Sequence, residues 1–185
     1  MLIDKLWNFV MIKRKRVLCK GNITLNGRIY IHGRVSGVKI GDNCTIQSAH
    51  YVNPTSGFDH THLTTGKDGM IVIGNNVGIS HANIISYNQV IIEDNVLIGS
   101  GVKIWDTDFH AIDYESRING GNLRTKTAPI KICEGAFIGA CAIILKGVTV
   151  GERSVVGAGS VVTKSIPDHE VWAGNPARKI GELHQ

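Results

Sequence analysis

His110 sits in the stretch DTDFHAIDYE, with Asp106, Asp108, Asp113 and Glu115 within five residues of it. An imidazole titrates near neutrality, and beside a carboxylate it can take a proton from a hydroxyl or amine as that group attacks a thioester. The surrounding segment, WDTDFHAIDYESRINGGNLRTKTAP, is polar and charged and lacks the regular apolar spacing found on either side of it. A loop histidine among acids is most often simply solvated, so its chemistry has to be weighed by the scaffold that carries the loop. A second histidine pattern, His60 and His62 in FDHTHLTTGKD, has the His-x-His form that can hold zinc from one strand. The sequence places no third ligand near it. Cys19, Cys44, Cys133 and Cys141 form no CxxC pair. With Cys44 and Cys141 in or near small-residue slots, buried reduced thiols in a cytosolic protein are expected.

The scaffold shows itself in EGAFIGACAIILKGVTVGERSVVGAGSVVTK, where Ile132, Ile138, Ile144, Val150, Val156 and Val162 recur every sixth residue. Helical faces recur at three and four and strands at two, so a period of six implies a six-residue unit repeated and stacked. Ala136, Ala142, Val148, Ser154 and Ser160 hold small or medium side chains four residues after an anchor, and Gly139, Gly151 and Gly157 follow three of the anchors. A β-branched anchor suits an extended segment and glycine suits the bend after it. Three such units close a triangular turn of a solenoid with a column of Ile and Val inside.

Upstream the period persists in pieces: Ile23, Ile29 and Val35; Ile40 and Ile46; Ile73, Ile79 and Ile85; Ile92, Ile98 and Ile104. Two interruptions, about Gln47 to Met70 and Trp105 to Pro129, are too long to be corners and are expected to leave the coil as loops, where function concentrates. The chain divides into an amphipathic, basic cap segment over 1–20, the β-helix over 21–166, and a tail over 167–185 that covers the last turn and has room for a short helix. In the first segment Leu2, Ile3, Leu6, Phe9 and Val10 share one helical face and Lys13 to Arg16 follow. That helix either closes the open end of the core, as solenoids require, or makes a peripheral contact with anionic lipid at the inner membrane surface.

Composition sets broader limits. The 185 residues, 43% hydrophobic, suffice for one core without requiring two domains. An excess of 20 Lys and Arg over 15 Asp and Glu suits an anionic ligand such as a nucleotide phosphate. Without interleaved aromatic and basic residues, no nucleic acid is expected. No stretch approaches the roughly 20 apolar residues of a membrane span, and the start lacks a signal-peptide cleavage region. A cytoplasmic protein is the expectation.

The Ile/Val-Gly-x-x-small-x pattern, with IEDNVLIGSGVKI before the second loop and VVGAGSVVTKSIP and AGNPARKI after the repeats, resembles the hexapeptide-repeat acyltransferases over about Ile71 to Ile180. The branch it is most similar to is the galactoside and maltose O-acetyltransferases. The resemblance implies an all-β, left-handed parallel β-helix with two excursion loops and short terminal helices. It also implies a homotrimer with sites between subunits, acetyl-CoA as co-substrate, and a saccharide acceptor. His110 falls at the place of the family's general base. Ala140 and Ala158 match positions whose backbone lines the pantetheine channel, while Thr163, Lys164 and Arg178 match the adenosine and phosphate end. Ser80 matches the acceptor-binding asparagine, with His81 and Asn83 beside it and Asp108 next to the base. The chain has Phe137 where many relatives have tryptophan, and its DTDFHAID is richer in acids, like members associated with cell-surface polysaccharide clusters. The expected activity is O-acetylation of a sugar or polysaccharide-precursor hydroxyl, with no metal. The alternatives are an N-acetyltransferase on an amino sugar or small amine, and a non-catalytic or metal-binding β-helix. A base-like histidine kept together with a complete CoA-like tail argues against the last.

Overall fold

A computed structural model describes residues 2–49, 60–119 and 125–183. The six-residue period is the length of one side of a triangle. The described strands form three sheets of six, eight and six strands, running from Leu18–Cys19 to Thr149–Val150, from Ile23–Gly27 to the terminal hairpin, and from Ile29–Gly33 to Val161–Val162. Successive strands along the chain fall in successive sheets, giving the left-handed parallel β-helix. Register stacks inward residues of successive coils into columns, one on each sheet. The first column is Ile40, Ile73, Ile92, Ile132 and Val150. The second is Leu25, Ile46, Ile79, Ile98, Ile138 and Val156. The third is Ile31, Leu63, Ile84, Ile104, Ile144 and Val162. All but the half-buried Leu25 are buried. Because each column stacks at strand spacing with no space to collapse into, Ile138→Ala is expected to lower unfolding free energy by about 2–5 kcal/mol. Denaturant unfolding checks this, and a loss under about 1 kcal/mol would contradict the column packing.

Several expectations are corrected. Val35 is exposed in the turn after Ile29–Gly33, where Ser36 has φ 60°, and Val38 and Ile40 resume the buried pattern. Ile84, not Ile85, points inward; Ile85 is paired with Trp105 on the outer side. The first interruption is shorter than expected, because Thr61–Thr65 returns to the third sheet between Ile29–Gly33 and Asn83–Ser86. Its inward positions are Thr61, Leu63 and Thr65. The threonines fill corner sites by hydrogen bonding: Thr61 Oγ1 donates to the Gln47 carbonyl at 3.1 Å, and Arg34 N donates to Thr65 Oγ1 at 3.0 Å. Residues 50–59 of that interruption lie outside the described residues.

The N-terminal helix Leu2–Lys15 does close the first coil, but with the side opposite its apolar face. Trp7 Nε1 donates to the Ile29 carbonyl at 2.9 Å, Asn8 Nδ2 donates to the Gly27 carbonyl at 2.8 Å, and Asn8 Oδ1 accepts from Ile29 N at 3.0 Å. Met11 and Ile12 pack on the core. Among its described residues the tail forms no helix. Glu170–Gly174 runs parallel to Val155–Val156 and then pairs antiparallel with Ala177–Glu182, extending the second sheet. Trp172 and Ala177 cover the last turn of the core. No helix among the described residues is long and apolar enough to cross a membrane.

Candidate active site

The second loop leaves the third sheet after Lys103–Trp105, and its origin is fixed by one buried carboxylate. Asp106 accepts from Tyr87 N at 2.7 Å through Oδ1 and from Ser86 Oγ at 2.8 Å and Asn88 N at 2.9 Å through Oδ2. The loop then runs as a narrow ribbon: Ala128 N donates to the Asp106 carbonyl at 3.0 Å, Thr107 bridges Thr127, and Asp108 N donates to the Lys126 carbonyl at 3.1 Å. Phe109 takes a left-handed backbone with φ 60°. Its ring meets Trp105 edge-on at 5.6 Å and Tyr87 at 6.4 Å, so the stem rests on aromatic packing. His110 follows directly, its side chain exposed and its amide 2.6 Å from the Asp108 carbonyl.

The four acids that surround His110 in sequence therefore separate in space. Asp106 is fully buried and structural. Asp108 Oδ1 meets Lys146 Nζ at 2.5 Å, while its Oδ2 is buried with no hydrogen-bond partner among the described residues. Asp113 caps the short helix Tyr114–Ile118, accepting from Ser116 N at 2.8 Å, and that bond holds its carboxyl below the usual range. Glu115 is exposed on that helix. The sequence had no signal for this helix or for the Lys146 partner, 38 residues away.

Of the acceptor candidates, Asn83 joins the loop: its Oδ1 accepts from Trp105 Nε1 at 3.3 Å, and Lys103 lies over the Trp105 ring at 5.7 Å. Asn83, Trp105 and Phe109 thus form a linked polar and aromatic cluster on the stem that carries His110. Ser80 does not share it. Ser80 ends a strand of the second sheet and lines an open groove with Gln47, Leu97 and Phe137. His81 is buried, with φ 45°, in the corner between the two sheets.

The positions matched to CoA lie on later coils. Ala140 and Ala158 occupy stacked corners, with Gly159 N donating to the Ala140 carbonyl at 2.8 Å. A Cβ on Gly139 would stand 2.6 Å from Ala158 N, so glycine alone permits this close approach of backbones. Thr163 and Lys164 are exposed after Val161–Val162, and Arg178 is exposed on the terminal hairpin. His60 and His62 stack with other rings: His62 on Tyr30 at 5.0 Å and on His32 at 5.9 Å, with His60 Nδ1 2.6 Å from the Ser48 carbonyl. No three His, Cys, Asp or Glu among the described residues are grouped to hold a metal. All four cysteines are free, and burial pushes the Cys44 and Cys133 thiols up. Cys19 and Cys141, expected inside, are exposed, Cys141 at a corner where its φ is 60°.

Residues 129–164 match the bacterial transferase hexapeptide family (six repeats), and residues 31–54 and 89–104 match the hexapeptide repeat of succinyl-transferase. The chain is 35% identical over 147 residues to a galactoside O-acetyltransferase of Lactococcus lactis, covering 78% of this chain and 64% of the relative. It is 38% identical over 118 residues to the galactoside O-acetyltransferase of Escherichia coli, covering 60% and 56%. The chain thus spans less than two thirds of the length of either relative. A crystallised galactoside acetyltransferase in complex with coenzyme A superposes with TM-score 0.61 at 24% identity, covering 99% of this chain and 80% of that one.

Proposed function

The chain belongs to the hexapeptide-repeat acyltransferases, beside the galactoside O-acetyltransferases, and from that membership we propose that it transfers acetyl from acetyl-CoA to a hydroxyl of a sugar or polysaccharide precursor. The observation that carries the reading is an exposed His110 on a stem pinned by Asp106 and built on the Asn83, Trp105 and Phe109 cluster. An aromatic face next to an amide suits the apolar faces and hydroxyls of a sugar ring. His110 takes the proton of the acceptor hydroxyl as its oxygen bonds to the thioester carbonyl carbon. The C–S bond then breaks and the proton passes to the departing thiolate. The stacked corners at Ala140 and Ala158 offer backbone partners to the amides of pantetheine, and Thr163, Lys164 and Arg178 answer its phosphates. With Ser80 and His110 on different faces of the coil, an acceptor held by both must lie between two chains. This supports the homotrimer, in which the groove of Ser80, Leu97 and Phe137 receives the neighbour's loop.

Acetyl-CoA consumption measured against a panel of sugars, nucleotide sugars and amines tests the reading. The expected result is turnover with a hydroxyl acceptor, an ester product labile to hydroxylamine, and a light-scattering mass of three chains. A product acetylated only on nitrogen, or a fully active monomer, would overturn the corresponding part.

A further inference from the structure

The N-terminal helix docks on the coil through Trp7, Asn8, Met11 and Ile12, which leaves its apolar face uncovered. Leu2, Ile3, Leu6, Phe9 and Val10 are between 51% and 82% exposed. At 100° per residue they form one stripe, with Lys5 on one side of it, Arg14 on the other and Lys13 at its C-terminal end, where Lys13 Nζ lies 5.8 Å from the Phe9 ring centroid. The helix has one acid, Asp4, and it lies on the docked side, paired with Arg28 at 2.8 Å. The exposed face is therefore apolar and purely cationic.

We propose that this face is a docking surface for an anionic lipid bilayer, on which the helix lies flat. Apolar side chains enter the boundary between headgroups and acyl chains while Lys5, Lys13 and Arg14 meet lipid phosphates, the arrangement of interfacial helices. The charge pattern selects this occupant over a second copy of the chain. Helices packed through this face would bring like charges together with no carboxylate on the face to pair them. The helix caps the first coil, so a bilayer there leaves the second loop and the last coils open to solvent.

The test is co-sedimentation of the full-length protein with phosphatidylcholine vesicles, with and without phosphatidylglycerol, at low and high salt. Binding is expected only with phosphatidylglycerol and is weakened by salt. Lys5→Glu/Lys13→Glu/Arg14→Glu should lower partitioning by about 100-fold, and Leu6→Ala/Phe9→Ala by about tenfold or more. Both variants change residues directed away from the coil, so an unchanged melting temperature and unchanged turnover on a soluble acceptor are expected alongside. Absent binding to phosphatidylglycerol vesicles, or undiminished binding by the charge variant, overturns the proposal. So does a lower oligomer mass in the apolar variant, which would assign the face to a second copy.

Discussion

His110→Ala is expected to lower acetyl-transfer turnover by roughly 10²–10⁴-fold while leaving the affinity for acetyl-CoA nearly intact. The separation follows from geometry. His110 stands on the excursion from the third sheet, whereas Thr163, Lys164 and Arg178 are carried by the last coil and the terminal hairpin. Lys164→Ala should show the reverse split, raising KM for acetyl-CoA with little change in kcat at saturation. Since only the neutral imidazole can accept the acceptor's proton, turnover should also fall on the acid side of the pH profile in wild type. Steady-state kinetics with the true acceptor checks all three. Near wild-type kcat in His110→Ala would remove the residue from the reaction. His81 would be a poor substitute, since its side chain is buried in a corner.

The coil was legible because its signal is repetitive and local. From Ile132 to Val162 every corner has the same length, so counting by six names the inward residue each time. Where corners vary in length the count drifts, and it chose Val35 and Ile85 where the core holds Val38 and Ile84. Hydropathy also fails where polar side chains fill inward positions by bonding the backbone. Thr61, Thr65, Ser86, Ser154 and Ser160 are all buried in this way, and the strand Thr61–Thr65 passed for loop. The N-terminal helix misled in a different manner. Its most apolar face looks like the docking face, yet Trp7 and Asn8 make the cap because the open end of a β-helix presents unpaired carbonyl and amide groups that need polar partners. For the site, the position of His110 was readable from its neighbours. The distinct duties of Asp106 and Asp108 were not, since their partners Ser86 and Lys146 are set by the folded path of the chain, whereas Asp113 caps its helix through Ser116, three residues away.

That division of duties gives the second large effect. Asp106→Ala is expected to lower unfolding free energy by about 3 kcal/mol, because it removes a fully buried carboxylate that accepts three hydrogen bonds. In its corner Tyr87 N and Asn88 N would lose their side-chain acceptor, and Ser86 Oγ would be left donating to the Met70 carbonyl at 3.0 Å. For a chain of this size that amounts to a fall in Tm of about 6–12 °C. Asp106→Asn should fall between, since its oxygen can still accept from Tyr87 N and its amide can donate to Ser86 Oγ, leaving only Asn88 N unpaired. The same corner is where the loop begins, so surviving folded Asp106→Ala should also lose kcat with KM for acetyl-CoA unchanged. Such a loss acts through position, because Asp106 has no exposed surface from which to touch a substrate. Calorimetry and kinetics on the two variants separate the outcomes. If Asp106→Ala melts like wild type, the loop is held by its aromatic packing on Trp105 and Tyr87. If Asp106→Asn instead proves as damaging as Asp106→Ala, the carboxylate charge, and not its geometry as an acceptor, is what fixes the stem beneath His110.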